Sequence, residues 1–184
     1  QEGETNYLAL YPTPKWFVNN QKKIDQVLIW SLIRKESSFY LKAKSPRGAR
    51  GLMQIMPSTA RVVTGNRSIR GSNLWKLNDL DYNVSIGQDL LLRLMNKEGI
   101  SDSLIPMLIS WNAGPTKYKK WNKKIKMHSD PLLYIESIPS YETRWFVKEV
   151  LKNMWIYRDK FKQDKPSRRA LSNNSWPKYK NLSF

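Results

Sequence analysis

Glu36 is the side chain with the strongest case for chemistry. Ile29, Leu32, Ile33 and Glu36 fall at i, i+3, i+4 and i+7, the spacing of one helix face. A carboxyl group so placed lies against apolar neighbours near a helix end. Desolvation penalises its charged form, and the negative end of the helix dipole pushes the same way. A carboxylic acid still partly protonated near neutrality suits donation of a proton to a glycosidic oxygen.

The residues around Glu36 distinguish it from an ordinary helix-end Glu. From Ser37 through Asn78 there is no Asp or Glu, whereas the same stretch holds eight cations: Lys42, Lys44, Arg47, Arg50, Arg61, Arg67, Arg70 and Lys76. Upstream, the nearest acid is Asp25, about 16 Å away along one straight helix. Glycosidases that use two carboxylates hold them roughly 5–10 Å apart. No such partner is supplied locally. Asp79, Asp81, Glu136 and Glu142 are the acids that folding can bring to Glu36.

Other chemistries have little material. There is no cysteine, so thiolate nucleophiles, disulfides and cysteine-ligated metals are excluded. His128 is the single histidine, so a Ser-His-Asp arrangement must use it and a multi-histidine metal site is excluded. No Asp/Asn-Gly calcium loop occurs, and the expected chemistry requires neither metal nor cofactor.

These residues need helices to hold them. Pro46, Gly48 and Gly51 mark Tyr40 to Leu52 as loop, and Pro57 begins a second helix. Asn83 is expected to cap a helix carrying Val84, Gly87, Leu91 and Leu94 that closes near Gly99. Ser101 or Asp102 is expected to cap the next, with Leu104, Leu108 and Trp111 in helical phase and Gly114-Pro115 as its stop. Ser140 caps a long helix bearing Val147, Val150, Leu151 and Met154. Residues 1–14 read as an extended lead-in, the remnant of a longer N-terminal region, and the helical pattern runs over 15–158. Residues 159–184 carry seven Lys/Arg against two Asp and lose the pattern, so an irregular or partly disordered basic arm is expected.

The whole chain of 184 residues carries a net charge of +17 at pH 7, which attracts polyanions: nucleic acid, anionic lipid or a carboxylate-bearing cell wall. No run of apolar residues is long enough to span a bilayer as a helix. The N-terminus has neither an initiator Met nor the basic and apolar regions of a signal peptide, and reads as mature or trimmed.

Three blocks in order carry a family resemblance. Glu36-Ser37-Ser38-Phe39 followed by Ser45-Pro46-Arg47-Gly48-Ala49-Arg50-Gly51-Leu52-Met53-Gln54-Ile55-Met56-Pro57 resembles the catalytic segment of soluble lytic transglycosylases. Ser110-Trp111-Asn112-Ala113-Gly114-Pro115 resembles the family's Ala-Tyr-Asn-Ala-Gly block. Tyr134 to Pro139 with Glu142-Thr143-Arg144 resembles a segment of the large soluble branch. The resemblance covers roughly residues 11 to 158.

It implies a mainly α, lysozyme-like fold of the goose-type kind with a small β element around Gly51 to Gln54. Residues 15–158 would be the catalytic domain. The implied reaction is non-hydrolytic cleavage of peptidoglycan, with Glu36 as acid and then base and a 1,6-anhydromuramoyl product. Ser45, Gln54, Met56, Asn112 and Glu136 match residues of the family's cleft, Glu136 as a substrate-contacting acid. Trp111 stands where the family has Tyr. Its indole keeps a flat face for sugar but offers only a donor.

The implied partner is the peptidoglycan glycan strand, with peripheral association to wall or membrane, a periplasmic or cell-envelope location and a monomeric state. No nucleic acid is expected as partner. Three other readings are weighed: an inactive wall-binding scaffold, a hydrolase like goose-type lysozyme, and a nucleic-acid binder. The last draws on Lys117 to Lys126, where six lysines alternate with Tyr118 and Trp121.

Overall fold

A computed structural model describes residues 10–14 and 24–179. Among the described residues, eight α-helices and one 3-10 helix carry almost all of the regular structure: α1 (Gln26–Ser37), α2 (Pro57–Thr64), the 3-10 helix (Gly71–Asn78), α3 (Leu80–Met95), α4 (Leu104–Ala113), α5 (Pro115–Asn122), α6 (Pro131–Glu136), α7 (Tyr141–Lys160) and α8 (Pro166–Ser172). The expected helical pattern over residues 15–23 and most of the lead-in lie outside the described residues.

The core forms around α1, α4 and α7. Every residue of α1 from Val27 to Ile33 is buried, so this helix is covered on all sides and not on one stripe. The same holds for α4 from Leu104 to Ser110. Helices α1 and α7 run antiparallel: Asp25, at the start of α1, meets Arg158 near the end of α7, and Asn153 Nδ2 donates to the Ser31 carbonyl further in. Asp25 also caps α1 by accepting from Val27 N at 3.0 Å. Burial pushes its carboxyl up, and Arg158 acts against that rise.

The β element is minimal. Arg50 bridges antiparallel to Lys44 on one side and to Ile55 on the other. Asn83 holds it in place. Its Oδ1 accepts from Met53 N at 2.8 Å, and its Nδ2 donates to the carbonyls of Arg50 and Leu77 at 2.9 and 2.7 Å. Two glycines allow this packing. A Cβ on Gly51, whose φ is +75°, would lie 2.2 Å from the Leu77 carbonyl oxygen, and one on Gly87 would lie 2.2 Å from the sulfur of the fully buried Met53.

This arrangement corrects the expected role of Asn83. Asp79 caps α3 instead, accepting from Tyr82 N at 2.9 Å, because Asn83 is already inside the helix with its amide spent on the loop. Helix α3 ends at Asn96 and not at Gly99. Ser103, not Ser101 or Asp102, precedes α4. The expected stop at Gly114 and the Ser140 cap both match: Gly114 has φ +88°, and Ser140 accepts from Thr143 N.

The C-terminal segment also departs from expectation. Through Tyr179 it forms α8 and then docks, rather than trailing as an irregular arm; residues 180–184 of the expected arm lie outside the described residues. The Pro177 carbonyl accepts from Leu104 N at 2.9 Å, satisfying an N–H at the start of α4. Trp176 packs edge-on against Tyr134 with centroids 4.9 Å apart, and Asp25 N donates to the Tyr179 hydroxyl at 3.1 Å. Buried aromatic area offsets the ordering cost of a segment whose composition reads as polar. At the other end, Tyr11 is buried beneath the Arg34 guanidinium, 3.9 Å from its ring centroid, and its hydroxyl donates to Asn153 at 3.1 Å.

Candidate active site

Glu36 occupies the last turn of α1, which ends when Ser38 turns into the left-handed region at φ 49°. Its carboxyl faces a groove of about 660 Å³. The α1–α2 loop supplies one wall through Ser45, Gln54 and Met56, the end of α4 supplies Trp111 and Asn112, and the first turn of α7 supplies Glu142.

Each side chain is held by its local fold. Trp111 Nε1 donates to Glu36 Oε1 at 2.8 Å. Asn112 Oδ1 accepts from Thr143 Oγ1 at 2.7 Å, which joins α4 to α7 beside the groove. Ser45 Oγ accepts from Ala49 N at 3.0 Å and closes its own turn. Gln54 has φ 47°, and its Nε2 donates to the Gly51 carbonyl at 2.8 Å and the Ala43 carbonyl at 3.2 Å. Its amide oxygen remains available as an acceptor. Met56 is half-exposed and gives the wall an apolar surface.

Burial pushes the Glu36 carboxyl up from its ordinary value near 4.5 to about 7. The Trp111 hydrogen bond and the Lys35 charge oppose that rise, and Glu142 adds slightly to it. The group is therefore an acid at neutral pH that ionises with little cost, the requirement for giving a proton and later taking one.

Of the sequence-nominated residues, Glu36, Ser45, Gln54, Met56, Trp111 and Asn112 converge on this groove. Glu136 does not, and its expected place in the cleft is corrected. It ends α6 on the exposed surface and pairs with Lys148 at 2.9 Å. Glu142 lines the groove in its stead, on the first turn of α7, where the helix dipole favours a negative charge. The sequence named Glu142 only among four acids that could approach Glu36. Asp79 is spent on capping α3, and Asp81 is exposed.

Lys117 to Lys126 is not an interleaved stacking surface. Tyr118 is buried with its hydroxyl donating to the Gly99 carbonyl at 2.8 Å, and Trp121 is partly buried against the core, so the fully exposed side chains of the segment are its lysines. Among the described residues no group of His, Asp or Glu side chains is arranged to hold a metal ion, and no helix is long and apolar enough to cross a membrane.

Comparison with known proteins agrees with this geometry. Residues 17–132 match the family described as transglycosylase SLT domain. The soluble lytic murein transglycosylase of Escherichia coli (strain K12) is 37% identical over 156 residues, covering 84% of this chain and 23% of that protein. The crystal structure of the 70 kDa soluble lytic transglycosylase from Escherichia coli superposes with a TM-score of 0.72 at 35% identity, covering 94% of this chain and 26% of that one. The complex of the 70 kDa enzyme with bulgecin A gives a TM-score of 0.72 at 34% identity, over 94% of this chain and 27% of that one. This chain thus spans about a quarter of the length of these relatives. The mainly α, lysozyme-like fold expected from the sequence is the one they share with it. The chain belongs to the transglycosylase SLT family of lytic transglycosylases.

Proposed function

We propose that this protein is a peptidoglycan lytic transglycosylase acting in the bacterial cell envelope. It cleaves the β-1,4 bond between N-acetylmuramic acid and N-acetylglucosamine without consuming water. Glu36 protonates the bridging oxygen, and the leaving sugar departs with that proton. The acetamido group of the muramoyl residue shares the positive charge that develops at C1. Glu36, now a carboxylate, takes the proton of the C6 hydroxyl as that oxygen attacks C1. A 1,6-anhydro end is left, and Glu36 regains its proton.

The observation that carries this reading is the state of Glu36: half-buried at the groove, ionising near 7, with one oxygen held by an indole N–H. The Trp111 bond engages Oε1 and leaves Oε2 as the oxygen to carry the proton. Ser45, Gln54, Met56 and Asn112 would contact the sugars, and Glu142 would take the substrate-contacting role that Glu136 was expected to fill.

A second reading has one observation in its favour. Glu142 shares the groove and is close enough to raise the Glu36 proton affinity, so it is a candidate base for activating water. Mass spectrometry of purified peptidoglycan after digestion separates the two. Anhydro ends are expected. Reducing ends alone would make the protein a hydrolase, and intact strands would make it a binding scaffold.

A further inference from the structure

We propose that Arg47 and Lys117 form a carboxylate-recognition pair in the groove. On this view they select glycan strands bearing acidic substituents over neutral glycans of the same backbone. The inference rests on the reading of the groove as a glycan site.

Both cations line the groove, and both side chains are exposed. They reach it from separate elements. Arg47 rides the turn closed by Gly48 N donating to the Ser45 carbonyl at 2.9 Å, and Lys117 lies in the first turn of α5. Some exposed cations are paired within the protein, as in Lys148–Glu136, Lys152–Glu149 and Arg169–Asp164, but the excess of basic residues leaves many without an acidic partner. Arg47 and Lys117 take no such partner among the described residues, although Glu36 and Glu142 line the same groove.

Local stability does not explain Lys117. A cation in the first turn of a helix faces the positive end of its dipole, so Lys117 opposes the stability of α5. Lys35 and Glu142 are the charges that chiefly act on the Glu36 carboxyl. Arg47 and Lys117, lining the same groove, are left to meet charge on a ligand lying in it. A neutral sugar chain gives them nothing to pair with. A strand with carboxylates on alternate sugars does, and a guanidinium matches a carboxylate with two parallel hydrogen bonds. Two sources share this chemistry: the acid of the muramoyl sugar itself, free in a strand without peptides, and the carboxylates of attached peptides.

The test uses the full chain with Glu36→Gln, so that binding is measured without cleavage. Calorimetry at low salt gives dissociation constants for three tetrasaccharides: a neutral N-acetylglucosamine oligomer, a peptide-free muramoyl strand and a peptide-bearing one. Adding Arg47→Gln and Lys117→Gln should shift the acidic-to-neutral affinity ratio by about tenfold, the sum of two modest exposed ion pairs. A control pair, Lys119→Gln with Lys123→Gln, removes the same charge from a separate hollow beside α5 and should leave that ratio in place.

A shift on the peptide-free strand assigns the recognised carboxylate to the sugar, and a shift confined to the peptide-bearing strand assigns it to the peptide. Equal weakening of all three ligands, an unchanged ratio, or the same shift in the control pair would overturn the proposal while leaving the glycan reading intact. Failure of the Glu36→Gln chain to bind any of the three would remove both.

Discussion

The indole N–H of Trp111 donates to Oε1 of Glu36 at 2.8 Å, joining the end of α4 to the last turn of α1. An indole donates and never accepts, so this contact favours the carboxylate and resists the desolvation that favours the acid. The balance leaves Glu36 ionising at about 7, with burial the stronger influence. A tyrosine in this place would offer a hydroxyl able to accept as well as donate.

Replacing Glu36 by Gln should abolish cleavage while preserving the fold, because the amide has the shape of the acid but carries no transferable proton. The same change should stabilise the protein at neutral pH and above. The folded carboxyl, raised from about 4.5 to about 7, binds its proton more tightly than the unfolded one. Its contribution is therefore fully present below 4.5 and is lost as pH rises through that window. Urea unfolding at pH 8 should show the variant more stable by about 3 kcal/mol, and at pH 4 by little or nothing. Equal stability of the two proteins at both pH values would contradict the desolvated acid.

Trp111→Phe keeps an apolar ring and removes the donor. Losing a bond that stabilises the carboxylate should raise the Glu36 pKa further. A group that must begin protonated gives kcat/KM that is flat below its pKa and falls above it, so the alkaline limb should move up by about one unit. The maximal rate should drop as well, because the acid is no longer held. An unmoved limb would show that Trp111 packs without acting on Glu36.

Glu142→Gln tests whether one carboxylate suffices. With a single acid and base, anhydro products should persist and turnover should fall by less than about tenfold, the scale of one lost exposed contact. The Glu36 ionisation should shift slightly down as a like charge is removed. Loss of activity by a factor of about 1,000, the scale of a missing general base, would assign the second role to Glu142.

Asn83→Ala should destabilise the fold and disturb the groove together. It removes three hydrogen bonds, taking the Asn83 partner from the buried Met53 N–H and the Leu77 carbonyl, while the Arg50 carbonyl keeps the Ile55 N–H at 3.0 Å. The expected cost is about 3 kcal/mol in unfolding free energy, with turnover falling because Gln54 follows Met53 directly. A loss below about 1 kcal/mol would mean that the loop holds itself.

The nature of the acid was legible in the chain. Helix phase is a local property, so the spacing from Ile29 to Glu36 was enough to put a carboxyl against apolar neighbours at a helix end. The acid-free stretch behind it is likewise read directly, as are Pro57, Gly114 and Ser140 at element boundaries, because caps and turns depend on a few adjacent residues.

What meets that acid was decided by packing. Trp111 lies 75 residues from Glu36, and nothing in its own helix pattern distinguishes a core indole from one that donates to a carboxylate. Glu136 and Glu142 sit six residues apart on either side of the break between α6 and α7, and one pairs with Lys148 while the other lines the groove. Asn83 reads as a cap by type, yet Asp79 takes that place and frees its amide to hold the loop. Side-chain type fixes what a residue can bond to. Which partner it meets depends on the relative placement of elements far apart in the chain, and that placement is set by the shared core rather than by local spacing.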